Sequence, residues 1–424
     1  MQYRLFDSFS KTQITFEEIL TAYYDCRKNK RQTANALAFE INYESQLVQL
    51  LEQINSGSYT PGRSIAFIVH KPVQREIFAA DFRDRIVHHL IINKLNPLFE
   101  RKFIRDSYSC RKDKGTHFGI KRVDRFIRRC SKNYTQDCYV LKLDIQGFFM
   151  HIDKQILYER LESFIQINYA CNDKALVLDL CAKTVFNNPT KGCVIKGDKS
   201  NWKGLPRNKS LFHSPSGVGL PIGNLTSQVF ANFYMDAFDH YVKHDLGLKY
   251  YGRYVDDFVI VHSSKKYLAK LQQKLSRFLQ KELHLKIHPK KIYLQHYKKG
   301  VKFVGAVIKP NRIYIANRTK GNMYDRISMF NNIARASKIT PSNIDALLCS
   351  MNSYLGIMKH YKSYKIRKAM IRNGLSPWWW NHVYLSGSAY KLVKKKRKPL
   401  SKHVVNYSEG YFDYSFQTET CFYF

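Results

Sequence analysis

Near its start the chain spaces apolar positions as a helix would. Phe16, Ile19, Leu20 and Tyr23 share one face, and Thr15-Phe16-Glu17-Glu18 has the form of a capping box that opens it. A second helical stretch carries Leu47, Leu50, Leu51 and Ile54 and is expected to stop at Gly57-Ser58-Tyr59-Thr60-Pro61-Gly62. From about Tyr139 the pattern changes to short β-rich runs alternating with helices. Residues 139–145 read as one strand, and 250–254 with 258–261 as a pair flanking the tight turn Val255-Asp256-Asp257. Thr340-Pro341 then caps a long helix with Leu347, Leu348, Met351, Tyr354, Leu355 and Met358 at helical spacing. Its far end is expected to be basic, with Lys359, Lys362, Lys365, Arg367 and Lys368. Trp378-Trp379-Trp380 after Pro377 is read as packing rather than stacking on a ligand, and Lys394-Lys395-Lys396-Arg397-Lys398 as part of a basic tail.

Charge narrows the partners. The 424 residues hold 70 Lys and Arg against 33 Asp and Glu, a net +37, and a polyanion would relieve that self-repulsion. Nucleic acid fits best. A membrane surface is the rival, but no apolar run approaches the roughly 20 residues that span a bilayer, and Met1-Gln2-Tyr3-Arg4 lacks a signal-peptide pattern, so a cytosolic location is expected. The nine cysteines are scattered with no CxxC pair, which points to reduced, mostly buried thiols rather than a zinc ribbon or disulfide framework.

The candidate chemistry lies in three carboxylates. Phosphoryl transfer to a hydroxyl uses two divalent cations about 4 Å apart, and hard Mg²⁺ takes oxygen ligands. Tyr254-Val255-Asp256-Asp257 sets two carboxylates at a hairpin turn, and an antiparallel neighbour would bring Asp144 beside them. A solvated Asp-Asp turn is the bland alternative, and the tetrad alone does not decide between the two.

An ordered series of motifs does. Arg75-Glu76-Ile77, Asp84-Arg85-Ile86-Val87-His88-His89, the run from Asp106 to Gly115, Leu143-Asp144-Ile145-Gln146-Gly147-Phe148-Phe149, the run from Gly219 to Gln228, the Asp256-Asp257 hairpin, Leu285-Lys286-Ile287-His288-Pro289-Lys290-Lys291 and Phe303-Val304-Gly305 together resemble the reverse transcriptase family from about Lys71 to Gly305. The resemblance implies an α+β right-hand polymerase with fingers, a palm of antiparallel sheet flanked by helices, and a helical thumb. It implies an N-terminal helical extension over 1–70, fingers over 71–137 and a palm over 138–310 with an insertion around 158–213. A thumb over 311–385 and a basic tail over 386–424 would follow. It also implies Asp144, Asp256 and Asp257 as catalytic metal ligands with Ile145 in the same metal site, for two Mg²⁺ ions that Mn²⁺ can replace. Arg111 and Lys114 match triphosphate-binding positions, Phe149 the sugar gate with Phe148 as its core neighbour, and Lys291 the partner of the pyrophosphate. Ile222 and Gly223 fall beside the forming base pair, and Phe303, Val304 and Gly305 match the primer grip.

Within the family, intron-encoded enzymes carry Gln-Gly-x-x-x-Ser-Pro where this chain has Ile222-Gly223-Asn224-Leu225-Thr226-Ser227-Gln228. Together with the run from Trp202 to Phe212, this resembles the reverse transcriptases of diversity-generating retroelements, which are bacterial or phage-encoded. That resemblance implies a template RNA and RNA/DNA heteroduplex, dNTPs, a small basic ring-forming accessory variability protein, and copying that is error-prone at template adenines. A retron or group II intron-type enzyme of ordinary fidelity is the alternative within the class. A catalytically silent RNA-binding protein is the alternative outside it.

Overall fold

The computed structural model describes residues 13–28, 33–70, 73–336 and 339–395. Met1 to Arg4, Lys71 and the tail from residue 396 lie outside the described residues. The chain forms two compact units, Met1–Asn311 and Arg312–Phe424.

The first unit opens with α1 (Phe16–Arg27), α2 (Ala34–Glu40), α3 (Tyr43–Asn55), β1 (Ile65–Val69), β2 (Arg75–Ala79), α4 (Phe82–Lys102) and α5 (Thr116–Cys130). It continues through β3 (Tyr139–Leu143), α6 (Lys154–Asn168), α7 (Lys174–Phe186), β4 (Val194–Ile195) and α8 (Leu225–His240). Next come β5 (Tyr251–Tyr254), β6 (Asp257–His262), α9 (Lys265–Leu283), β7 (Tyr293–His296), β8 (Val301–Phe303) and β9 (Ala306–Lys309). The Thr15 capping box forms, but the buried face of α1 is Ile19, Ala22, Tyr23 and Cys26, turned from the expected one, and Phe16 is exposed. Packing of α1 on α4 selects the rotation, and Lys94 of α4 pairs with Glu18 and Asp173 to hold it.

The central sheet runs β5-β6-β3-β7, antiparallel throughout. Alternation decides what faces where. Leu141 and Leu143 of β3, with Phe258 and Ile260 of β6, join the main core formed with α4, α6, α7, α8 and α9. The intervening positions, Lys142 and Asp144, fall on the opposite face, because successive strand side chains point to opposite sides. A second small sheet runs β2-β1-β4, with β4 parallel to β1, so a strand of the expected insertion pairs with one of the expected N-terminal extension, whose other neighbour β2 lies in the expected fingers. Together these make a mixed α+β fold around an antiparallel sheet backed by helices.

The second unit comprises β10 (Arg312–Ile315), α10 (Asn317–Ala336), α11 (Pro341–Met358), α12 (Tyr364–Gly374), β11 (Val383–Ser386) and β12 (Lys391–Lys394). Two expectations change here. The long helix with a basic far end is two helices, α11 closing at Met358, and Arg367 on α12 is buried with its guanidinium 4.2 Å from the Tyr390 ring centroid. The expected tail boundary at 386 also fails, because β11 and β12 form a hairpin whose Leu392 exchanges two hydrogen bonds with the Asn352 amide. Of the three tryptophans, Trp379 is buried in the core of this unit, whereas Trp378 is exposed.

Candidate active site

Register places the carboxylates. Leu143 of β3 lies opposite Phe258 of β6, so Asp144, the next residue, falls level with Asp257, where the β5–β6 hairpin turns through Val255 and Asp256. A slip of one residue would send Asp144 to the core face, so the leucines that bury the strand also aim the acid. The turn itself is strained: Val255 has φ +56°, a left-handed conformation that β-branched residues rarely adopt.

Two lysines answer these acids. Lys291 Nζ donates to both Asp144 oxygens, at 2.9 and 3.0 Å, and Lys142 Nζ lies 3.1 Å from Asp257 Oδ1. Asp256 has no such partner. Burial, with the charges of Asp144 and Asp257, pushes its carboxyl up to about 7. Burial also raises Asp257, with Lys142 opposing. A cluster of carboxylates short of positive charge is what a hard divalent cation requires, and the donors are all oxygen. As placed, however, the lysines hold Asp144 and Asp257, and among the described residues no three His, Cys, Asp or Glu side chains are grouped to hold an ion. Ile145 forms an antiparallel bridge with Ile287, using the Asp144 carbonyl and the Gln146 N–H; its own carbonyl takes no part.

Other expected residues divide. Phe149 and Ile222 come together: both rest on the apolar cluster of Ala66, Phe78, Met150 and Leu211, and the Phe149 carbonyl accepts the Leu220 N–H at 2.8 Å. Phe148 is buried, as a core neighbour should be. Gly223, at φ +120°, is needed for packing, since a Cβ there would meet Ile77 Cγ2 at 2.8 Å. Its close approach is therefore to β2.

Arg111 departs from expectation. Its guanidinium donates to Glu100 and to the carbonyls of Ile104 and Ser107, and its side chain is 4% exposed, so its charge is spent on the protein rather than offered to a triphosphate. Lys114 is half-buried and donates to the Arg105 carbonyl at 2.8 Å, and burial with the Arg111 charge lowers it to about 8. Val304 and Gly305 form the tight turn between β8 and β9, both with positive φ, above a buried Phe303 whose ring centroid lies 6.4 Å from that of Tyr108.

Sequence reasoning missed two buried polar centres. Glu76 accepts the Trp202 indole N–H, the Ser210 hydroxyl and the Leu211 N–H, clamping residues 202–211 onto β2 next to the Ile222 cluster. Arg253 is fully buried against Asp239 and donates to the Val255 carbonyl. A charged residue inside a strand run was the one available signal. Its partners, at 21 and 14 residues' separation, left none.

Residues 70–308, more than half of the chain, match the family model described as reverse transcriptase (RNA-dependent DNA polymerase). The curated relatives include Protein YkfC of Escherichia coli (strain K12), 22% identical over 312 residues, covering 65% of this chain and 73% of that protein. Nuclear intron maturase 4, mitochondrial, of Arabidopsis thaliana is 23% identical over 236 residues, covering 55% of this chain and 25% of that one. Among solved structures, telomerase from Candida albicans in complex with a TWJ fragment of telomeric RNA is similar at a TM-score of 0.45 and 11% identity, covering 80% of this chain and 62% of that one. This chain thus spans less than two thirds of that telomerase and about a quarter of the maturase. No described helix is long and apolar enough to cross a membrane. On the match across residues 70–308, the chain belongs to the reverse transcriptase (RNA-dependent DNA polymerase) family.

Proposed function

We propose that this chain catalyses RNA-templated DNA synthesis from dNTPs at Asp144, Asp256 and Asp257, with two Mg²⁺ ions, replaceable by Mn²⁺, as cofactors. Such ions, when bound, supply activation of an attacking hydroxyl and stabilisation of the leaving group's charge. The observation that carries the reading is the strand register that brings Asp144 level with a hairpin holding Asp256 and Asp257. Asp144, Asp256 and Asp257 would hold such ions once Lys291 and Lys142 give way, and Lys291, 53% exposed, would then be able to face a phosphate. Primer extension on an RNA template with Mg²⁺ tests this directly. A parent protein that binds the template-primer but adds no nucleotides would favour the silent RNA-binding alternative.

Within the family, the reading extends to a diversity-generating retroelement enzyme that copies its own template RNA with errors at adenine, together with a small basic accessory protein. Ile222 supports it. Its backbone carbonyl is taken by the Phe78 N–H and its side chain lies on an apolar cluster, so it presents no polar group to a base pair. Apolar contacts separate near-isosteric partners by only about 1–3 kcal/mol, whereas a site built to hydrogen-bond discriminates more strongly. Ile222→Gln is expected to lower misincorporation opposite template adenine about tenfold, the effect of about 1.4 kcal/mol. Sequencing cDNA from both proteins on one template, with the accessory protein supplied, checks it. Equal error spectra with adenine copied as accurately as other bases would leave a reverse transcriptase of ordinary fidelity.

A further inference from the structure

Arg253 sits one turn of sequence before the acids and is wholly buried. Nε and Nη2 pair with the two oxygens of Asp239 on α8, at 2.8 and 2.6 Å. Nη1 reaches Asn232 Oδ1 at 3.2 Å and the Val255 carbonyl at 2.9 Å, and Nη2 reaches the Asn232 carbonyl at 3.3 Å and Ser107 Oγ at 3.4 Å. Its backbone is engaged as well: the Arg253 N–H donates to the Asp106 carbonyl and its carbonyl accepts the Tyr108 N–H, each at 2.9 Å. One residue therefore joins α8, the segment 106–108 and the carboxylate turn.

The Val255 carbonyl belongs to the same peptide plane as the Asp256 N–H. Fixing the carbonyl thus fixes the plane from which the acid projects. The plane needs fixing, because Val255 is held at φ +56°, a left-handed conformation that strains a β-branched residue. A buried ion pair can often be replaced by apolar residues with no loss of stability, so stability alone does not account for this one.

We propose that Arg253 is a positioning residue that holds the strained Val255 turn, and with it Asp256, where a divalent cation would be bound once Lys142 and Lys291 release Asp257 and Asp144. This rests on the polymerase reading above only for its catalytic consequence. The cation affinity is separable.

The test uses the full chain with paired charge removal, R253M together with D239L, which leaves no buried charge unpartnered. Template-primer binding is expected to stay near that of the parent and melting temperature to fall, since Asp239 also accepts the buried Tyr251 hydroxyl, while Mn²⁺ affinity of the folded protein, measured by electron paramagnetic resonance, falls about tenfold and the extension rate falls with it. Adding Val255→Gly, which adopts a left-handed φ without strain, is expected to recover part of the lost Mn²⁺ affinity. Parent Mn²⁺ affinity and rate in the folded double variant would overturn the proposal, as would a loss that glycine leaves unchanged. If the double variant does not fold, Arg253→Lys, which keeps a cation for Asp239 but loses the second branch of the fork, must show the same fall in Mn²⁺ affinity, and parent affinity there overturns it. A parent that binds Mn²⁺ but never extends a primer would refute the polymerase reading and leave the affinity comparison intact.

Discussion

The core of the second unit is built from Met323, Ile327, Phe330, Leu347, Met351, Leu355, Met370 and Trp379, whereas the first buries Glu76, Asp84, Asp106, Asn232, Asp239 and Arg253 alongside its leucines. Among the described residues of the second unit only Ser363 and Arg367 are buried polar side chains. Arg367 makes its main contact through the Tyr390 ring, leaving Nε and Nη1 without hydrogen-bond partners. The contrast teaches where positional accuracy is needed. An apolar helical core accepts any side chains of suitable volume, while a hydrogen-bonded network specifies where each atom sits and is costly to break. In this chain the networks surround the carboxylates and the Ile222 cluster.

The sharpest way to break the comparison is to remove charge at the site itself. Asp256→Asn is expected to reduce primer extension by about a thousandfold or more, since it removes a metal ligand's charge with little change in shape. Its melting temperature should match or exceed the parent's, because neutralising Asp256 removes the cost of burying its charge and the repulsion from Asp144 and Asp257, which together raise it. Extension assays beside thermal melts read both.

Glu76→Ala comes next. It strands the Trp202, Ser210 and Leu211 donors inside the protein, and urea unfolding of the first unit should show a loss of about 3 kcal/mol or more. Leu355→Met, in the apolar core of the second unit, should cost less than about 1.5 kcal/mol in the same measurement. Equal losses would remove the distinction between the two units.

Acidification gives a graded test. His88 is buried, its Nδ1 lacks a partner, and burial followed by the charges of Arg85 and His89 lowers it to about 3. Its folded value lies below the ordinary 6.5, so between 6.5 and about 3 the unfolded chain binds a proton that the folded one does not. Stability relative to a His88→Gln variant should therefore fall as pH drops through that window, by up to about 1.4 kcal/mol per unit. A parallel pH course in the two proteins would mean that His88 protonates in place.

The smallest expected effect is on sugar selection. Phe149→Ala, at a half-buried ring, should raise ribonucleotide incorporation with little change in stability, and unchanged selection in single-nucleotide addition would return Phe149 to the core.

Much of this was legible along the chain because its causes are local. The Thr15 and Thr340 caps act within three residues, the alternation of Leu141, Lys142, Leu143 and Asp144 assigns faces by itself, and the Val255-Asp256 turn is bounded by strand-forming residues on both sides. These patterns alone determined short strands alternating with helices, a tight hairpin holding Asp256 and Asp257, and Asp144 at the end of a strand, while the α+β polymerase fold followed from the resemblance of the motif series. What was not legible depended on partners far away in sequence. The rotation of α1 was chosen by α4, and the end of the basic helix by the α11–α12 break. The engagement of Arg111 was decided by Glu100, and the packing of Gly223 by Ile77. Most of all, only the tertiary structure decided that Arg253, Asp239 and Asn232 meet beneath the acids. A hydrogen bond between residues separated by a helix and a strand leaves no periodicity in the sequence, and burial of a charge becomes favourable only once every partner is in place.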